Sequence, residues 1–351
     1  MKFNGWNKLA AALLLANINL TVLAENPGSA DHGVALVYHH IAEQTPATTS
    51  VSPHVFKRHL DYLQDNDYTV VPLSILVDAL RNGVSVPDRA VAITFDDAYR
   101  SVYSTAAPLL QARDMPFTVF VSTQAIEQDF EPYMSWNEIK STIQAGGTIG
   151  NHSHTHGHLS YSTGSENSPQ WRSRVIADVT RAQTLIEQNL GQTPTMFAYP
   201  YGEFTPELAA IIAGLGLHGV GQHSGAIGFG SNFQTLPRHP FYTGADQITR
   251  FAERIDTRPL YVESHPENGL QLHSNPLQLT LKPQPGPFKR DLIRCYYEGR
   301  SLELVWRPSE TFTTVLNPLA TGRSKLNCTV KNDQGDGYHW WSYLLMGTPV
   351  D

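Results

Sequence analysis

The chain predicts an α/β protein, a mostly parallel sheet of seven strands curled into an incomplete barrel, followed by a small antiparallel β unit. Two observations carry this expectation. From Val34 to about Ile255, short apolar runs rich in β-branched residues alternate with amphipathic helical patterns, the signature of repeated strand-helix-strand units. After Pro259 the helical periodicity stops, Pro266, Pro276, Pro283, Pro285 and Pro287 crowd together, and short alternating runs take over.

Taken in chain order, the first segment stands apart. Lys2 and Lys8 precede an apolar stretch from Leu9 to Leu23 that ends in Val22-Leu23-Ala24, the pattern of a signal peptide (1–24) and of an exported chain, periplasmic or secreted. A membrane anchor is the alternative, but the run is short for a bilayer and Asn17, Asn19 and Thr21 interrupt it. The barrel unit is expected over 25–262. Its strands are predicted at Val34 to Tyr38, Tyr68 to Val71, Ala90 to Phe95, Phe117 to Ser122, Thr148 to Gly150, Thr195 to Tyr199 and His218 to Gly221. The spacing of Phe56, Leu60 and Leu63 after Ser52-Pro53 predicts a helix with its start signal in place. The proline-rich stretch reads as a linker into a β-rich accessory unit (263–351), with strands at Leu277 to Leu281, Leu292 to Tyr297, Leu302 to Trp306, Thr311 to Leu316 and His339 to Leu345. Its aromatic residues, Tyr296, Tyr297, Trp306, Trp340, Trp341 and Tyr343, suit either a core or sugar stacking.

Composition narrows the function. A net charge of -7 without clustered Lys and Arg argues against a nucleic-acid partner, because binding a polyanion requires basic side chains to displace its counterions. No segment after the first is apolar and long enough to span a membrane. The two cysteines, Cys295 and Cys328, would meet an oxidising compartment in an exported chain and are candidates for a disulfide, with two separate buried thiols as the alternative. The oligomeric state is not legible.

Three segments carry chemistry. Val91-Ala92-Ile93-Thr94-Phe95-Asp96-Asp97 is a buried strand ending in adjacent carboxylates, which serve one site only where the strand ends and bends. One of the two acids acting as a helix cap is the plain alternative. Gly150-Asn151-His152-Ser153-His154-Thr155-His156-Gly157-His158 follows another short strand. Catalytic metal sites commonly take three protein ligands, so two of these histidines and one carboxylate suffice; a solvated His-rich loop is the alternative. Phe197-Ala198-Tyr199-Pro200-Tyr201-Gly202-Glu203 is a strand stopped by a turn that exposes backbone N–H groups able to stabilise an oxyanion.

Together, Thr94-Phe95-Asp96-Asp97, His152-Ser153-x-x-His156 and Tyr199-Pro200-Tyr201-Gly202 resemble the first three motifs of the polysaccharide deacetylases, the NodB-homology carbohydrate esterases of family four, in the family's order and over about Val34 to Ile255. Tyr38-His39-His40-Ile41, with Ser52-Pro53 and Phe56, is similar to the poly-N-acetylglucosamine deacetylase-like branch. The resemblance implies a distorted (β/α)7 barrel that binds Zn²⁺ or another divalent ion such as Co²⁺ or Ni²⁺. It also implies Asp97, His152 and His156 as ligands, Asp96 as base, the Tyr201 amide in the oxyanion hole, and His39, Pro200 and Tyr201 beside the substrate. The implied activity is hydrolysis of the linear amide in an N-acetylated glycan.

Two departures stand out. Where many members carry an arginine that orients the base, this chain has Ala198; Arg238 is the candidate to supply that charge, with surface pairing as its rival reading. The family's later Leu-x-x-His motif has no clean match, and His265 is the nearest candidate for the catalytic acid, with a structural role as its rival. Other readings are an O-acetyl (xylan-type) esterase, a degenerate glycan-binding barrel, and a non-haem Fe(II) oxygenase using two histidines and a carboxylate.

Overall fold

The computed structural model describes residues 29–269, 272 and 275–347; the predicted signal peptide, 1–24, lies outside them. Strands β1 (His32–Tyr38), β2 (Ala90–Phe95), β3 (Phe117–Val121), β4 (Gly147–Asn151), β5 (Met196–Ala198) and β6 (His218–Val220) are parallel neighbours in the order β6-β5-β4-β3-β2-β1. Thr69–Val70 adds a short pairing to β2. Two further pairings with β1 escaped the sequence reading: β7 (Ala226–Gly228) runs antiparallel to it, and His239–Pro240 runs parallel. Both are two or three residues long, too short to show a period. The sheet is the curled half-barrel of an α/β fold.

The strands are buried on both faces, so they read as unbroken apolar runs. All six residues of β2 are buried. Val91, Ile93 and Phe95 join Leu36, Tyr38 and Phe117 in a core covered by helices α1 (Pro53–Asp65) and, later in the chain, Trp136–Gln144. On the other face the residues are small, Ala35, Ala92 and Ala198, and helix α2 (Leu73–Arg81) inserts Leu73, Leu76, Val77 and Leu80 against them. A Cβ on Gly33 would stand 2.6 Å from Leu76 Cδ1, which explains a glycine at that crossing. Helix α1 starts as expected: the Ser52 side chain accepts from Val55 N, with Pro53 at the first position.

The C-terminal region forms two antiparallel-rich sheets packed face to face. One holds β8 (Arg258–Pro259), β11 (Arg294–Tyr297), β12 (Arg300–Ser301), β15 (Arg323–Lys331) and β16 (Tyr338–Met346); the other holds β9 (Val262–His265), β10 (Leu277–Pro283), β13 (Val305–Trp306) and β14 (Phe312–Leu316). Leu279, Leu281 and Phe312 meet Tyr297, Leu326, Val330 and Tyr343 between them, and a disulfide joins Cys295 to Cys328, which face each other across β11 and β15. Because Arg258–Pro259 already pairs with β16, the all-β unit begins before the stretch read as a linker, and Val262–His265 within that stretch is itself a strand. The unit is not free-standing: Leu344 and Met346 pack with Phe197, Tyr199 and Phe204 of the barrel, and Ser342 Oγ donates to Ser224 O at 2.6 Å.

Candidate functional site

The chemistry gathers at the C-terminal ends of β2, β4 and β5. Asp96 N extends the ladder by donating to Tyr38 O at 2.9 Å, and His152 N does the same to Val121 O at 3.0 Å. Beyond those bonds the chain must turn back over the sheet, and it does so through left-handed backbone at residues other than glycine: Asp97 (φ 72°), Ala98 (φ 62°), Ser153 (φ 67°), His156 (φ 54°) and Tyr201 (φ 59°). Such conformations are costly for L-residues and persist only where surrounding contacts enforce them. Here the enforcing contacts are visible. Asp178, on the helix Ser168–Leu190, accepts from His154 N at 2.7 Å and from Thr155 Oγ1 at 2.6 Å, while Asn151 Oδ1 accepts from Ser153 N at 2.8 Å.

Asp97, His152 and His156 converge, with one ligand atom from each within 4.8 Å of the others, so this group could hold a metal ion. His152 Nδ1 lies 2.8 Å from Ala198 O, an acceptor only, so Nδ1 carries the proton there. That leaves His152 Nε2 aimed at Asp97 Oδ1 3.3 Å away, buried and without a hydrogen-bond partner. A lone pair and a carboxylate oxygen converging on one point fit a cation, and the donor set of two imidazoles and a carboxylate suits Zn²⁺ and its neighbours. His156 Nε2 lies 3.0 Å from the same oxygen. Burial pushes the Asp97 carboxyl up, but His152 and His156 outweigh it and hold the group well below the usual carboxylate range. Burial lowers His152, and the nearby Asp97 carboxylate more than reverses it.

Asp96 is fully buried and points elsewhere. Arg238, with none of its side chain exposed, grips it through both arms, Nη1 to Oδ1 at 2.7 Å and Nη2 to Oδ2 at 2.8 Å. The same guanidinium donates to Thr94 Oγ1 at 3.0 Å and to Gly221 O at 2.8 Å, and lies over the Phe120 ring. Burial raises the Asp96 carboxyl, but the Arg238 charge wins and keeps it below its ordinary value. The Arg238–Asp96 pair is therefore interior, not on the surface. Gln222 Nε2 donates to Asp96 Oδ2 at 3.1 Å and approaches His39 Nε2 at 3.4 Å; His39 itself stands 4.0 Å from Asp96. Burial pushes the His39 imidazole down against the pull of Asp97 and Asp96.

A cavity of about 630 Å³ opens onto this group, lined by His39, Asp97, His156 and Tyr201 together with Tyr99 and Tyr133. The other two histidines of the run are spoken for: His154 Nδ1 bonds Thr123 Oγ1 at 2.9 Å, and His158 Nδ1 bonds Glu203 Oε2 at 2.8 Å while its ring stacks on Tyr201. Pro200 is buried in the turn that presents Tyr201. His265 is not brought to the site. It sits on β9 with 72% of its side chain exposed, 3.6 Å from Glu263. Sequence reasoning missed Gln222, which belongs to no motif, and two residues of β15 that reach the same cavity, Arg323 and Lys325.

Residues 83–220 match the family model described as polysaccharide deacetylase. Among curated relatives, the chain is 25% identical over 222 residues to the poly-beta-1,6-N-acetyl-D-glucosamine N-deacetylase of Escherichia coli K12, covering 52% of this chain and 32% of that one. It is 26% identical over 194 residues to the enzyme of the same name from Staphylococcus aureus MRSA252, covering 54% and 67%. The chain thus spans about a third of the length of the Escherichia coli relative. Among solved structures, a Streptococcus pyogenes deacetylase, PplD, in complex with acetate superposes with TM-score 0.58 at 21% identity, covering 64% of this chain and 98% of that one. IcaB from Ammonifex degensii superposes with TM-score 0.55 at 24% identity, covering 62% and 94%. These two likenesses speak for the fold.

Proposed function

We propose, from the premise that residues 83–220 form a polysaccharide deacetylase domain, that this protein is a hydrolase that removes the acetyl group from an N-acetylglucosamine-containing glycan, releasing acetate and a free amine. The observation that carries the reading is a fully buried carboxylate, Asp96, kept ionised by Arg238 beside the Asp97, His152 and His156 group. A divalent ion held by those three residues, Zn²⁺ or one such as Co²⁺ or Ni²⁺, supplies Lewis acidity and makes a water acidic near neutral pH.

The chain's own residues do the rest. Asp97 stays ionised as a ligand. Asp96 retains free lone pairs after bonding Arg238 and Gln222, since a carboxylate offers about four acceptor sites, and it takes the proton of the attacking water. The Tyr201 backbone N–H donates to the acetyl oxygen as it gains charge. Pro200 and Tyr201 form the wall against which the acetyl group lies. His39, partly exposed at the cavity beside Asp96, is the histidine we assign to protonate the departing nitrogen, in place of the exposed His265. Arg238 orients Asp96, the task that Ala198 cannot perform. This answers Ala198, one of the two grounds for a degenerate, merely glycan-binding barrel; the other, the missing Leu-x-x-His motif, is met by the assignment of His39.

The test is acetate release by the mature protein from a panel of acetylated oligosaccharides, including β-1,6-linked N-acetylglucosamine oligomers, chitooligosaccharides and acetylated xylan, with and without chelator. Acetate from the amide substrates that disappears with chelator supports the reading; release from xylan alone would make it an O-acetyl esterase. We further propose export after cleavage of 1–24, checked by a mature N-terminus at Glu25, and a division into a catalytic unit and a β-rich unit whose boundary, expected at 262/263, is moved forward to Arg258, where pairing with β16 begins. Among the described residues, no helix is long and apolar enough to cross a membrane.

A further inference from the structure

Strand β15 alternates strictly: Ser324, Leu326, Cys328 and Val330 are buried, so Arg323 and Lys325 project from its other face. Both line the cavity that holds Asp97, His156 and Tyr201. Neither makes a close ion pair among the described residues; Glu203 acts on Arg323 and Glu298 on Lys325 only through space. Lys325 Nζ donates only to the Gln222 carbonyl, at 3.0 Å, and Arg323 Nη1 is buried with no acceptor at all. Burial, with the Arg323 charge beside it, pushes the Lys325 ammonium down to about 7, as expected of a cation short of a counter-charge. A second cavity of about 650 Å³ shares Pro240, Tyr242 and Lys325 with the first and adds Arg250 and Arg254, with Glu253 as its one acidic lining residue. The groove is thus basic in a chain whose net charge is -7.

We propose that Arg323 and Lys325 form an anion subsite, and that the preferred glycan carries a carboxylate or phosphate group close to the acetamide that is hydrolysed. Sugar hydroxyls would satisfy the orphaned guanidinium N–H but would leave the Arg323 charge, and that of Lys325 when protonated, balanced only from a distance by Glu203 and Glu298. A carboxylate or phosphate supplies both acceptors and charge, in the forked geometry a guanidinium favours. The inference rests on the deacetylase reading and adds a substrate class to it. It also gives the C-terminal sheet a place in the site, as its basic wall.

The experiment compares metal-loaded protein on three oligosaccharides of matched length: a neutral N-acetylglucosamine oligomer, one alternating with a uronic acid, and one bearing phosphodiester groups. An anionic substrate is expected to exceed the neutral one about tenfold in kcat/KM, through KM, with the advantage shrinking in about 0.5 M NaCl. The carboxylate and phosphate arms tell which anion is meant. Arg323→Gln should collapse the anionic-to-neutral ratio toward one, and Arg323→Lys should restore part of it. Equal kcat/KM on all three substrates, or a ratio that survives Arg323→Gln, overturns the proposal. If that variant does not fold, the wild-type ratio decides, and one insensitive to salt rejects the subsite. If no substrate yields acetate, the deacetylase reading fails separately, and calorimetric titration of the same three oligosaccharides still decides the subsite: tighter binding of an anionic one upholds it, and equal binding rejects it.

Discussion

Asp96 and Arg238 form a buried bidentate ion pair, and such pairs matter most when one partner is removed, because the survivor is left charged in a dry environment. Arg238→Met should therefore cost about 3–5 kcal/mol of stability. With the guanidinium gone, burial of Asp96 is opposed only by His152 and His39 and its pKa rises, so the acid limb of the kcat/KM profile should move to higher pH while metal content, measured by elemental analysis, stays the same. An unmoved limb would remove Arg238 from the mechanism. Asp96→Asn should keep the metal and lose roughly 10²–10⁴-fold in turnover, whereas His152→Ala and His156→Ala should lose the metal itself. Near-normal turnover in Asp96→Asn would end its assignment as base. At this scale the motifs picked out the acids and histidines that the fold brings together, because metal ligands and a base must come from few residue types. The choice among the four alternating histidines was not legible in the residues alone. It depends on which ring meets Asp97 and which meets Thr123 or Glu203.

Among the elements, the turn after β5 shows how backbone geometry transmits to the site. Gly202 has φ +66°, and a Cβ there would stand 2.7 Å from Gln222 Cβ and 2.8 Å from its amide nitrogen. Gln222 in turn holds Asp96. Gly83 has a similar φ of +68° but open space around it, so it serves as the control. Gly83→Ala should cost about 1–2 kcal/mol, the left-handed penalty alone, with turnover unchanged. Gly202→Ala should cost more in thermal melts and also lower kcat; equal effects on both measures would show that the contact with Gln222 carries nothing. The parallel strands were legible because both faces are buried and their apolar runs are continuous. β15 was missed because its cavity-facing positions are Arg323, Lys325, Asn327 and Thr329, which break any apolar run, although its alternation is regular.

At the scale of the whole molecule, packing buries histidines as neutral rings, His223 beside the β-rich unit and His59 inside the barrel between Tyr38 and Phe251. Burial, then the charges of Lys325 and Arg323, push His223 down to about 3, and burial pushes His59 down to about 4. A histidine whose folded pKa lies below its unfolded value near 6.5 adds stability that is present above that value and is lost as pH falls. The melting temperature should therefore fall as pH drops from about 6.5 toward 4, before the depressed Asp96 and Asp97 titrate. A flat melting curve over that window would contradict this. What was readable from residue order is local: the strand runs, the helix start at Ser52-Pro53, and the carboxylate and histidine pairs at strand ends, each set by chemistry within a few positions. What only folding decided is long-range. Arg238 takes up Asp96 across 142 residues of chain, and Lys325 reaches Gln222 across 103. No periodicity or spacing encodes such meetings, because they depend on how the sheet curls and where a second sheet docks against it.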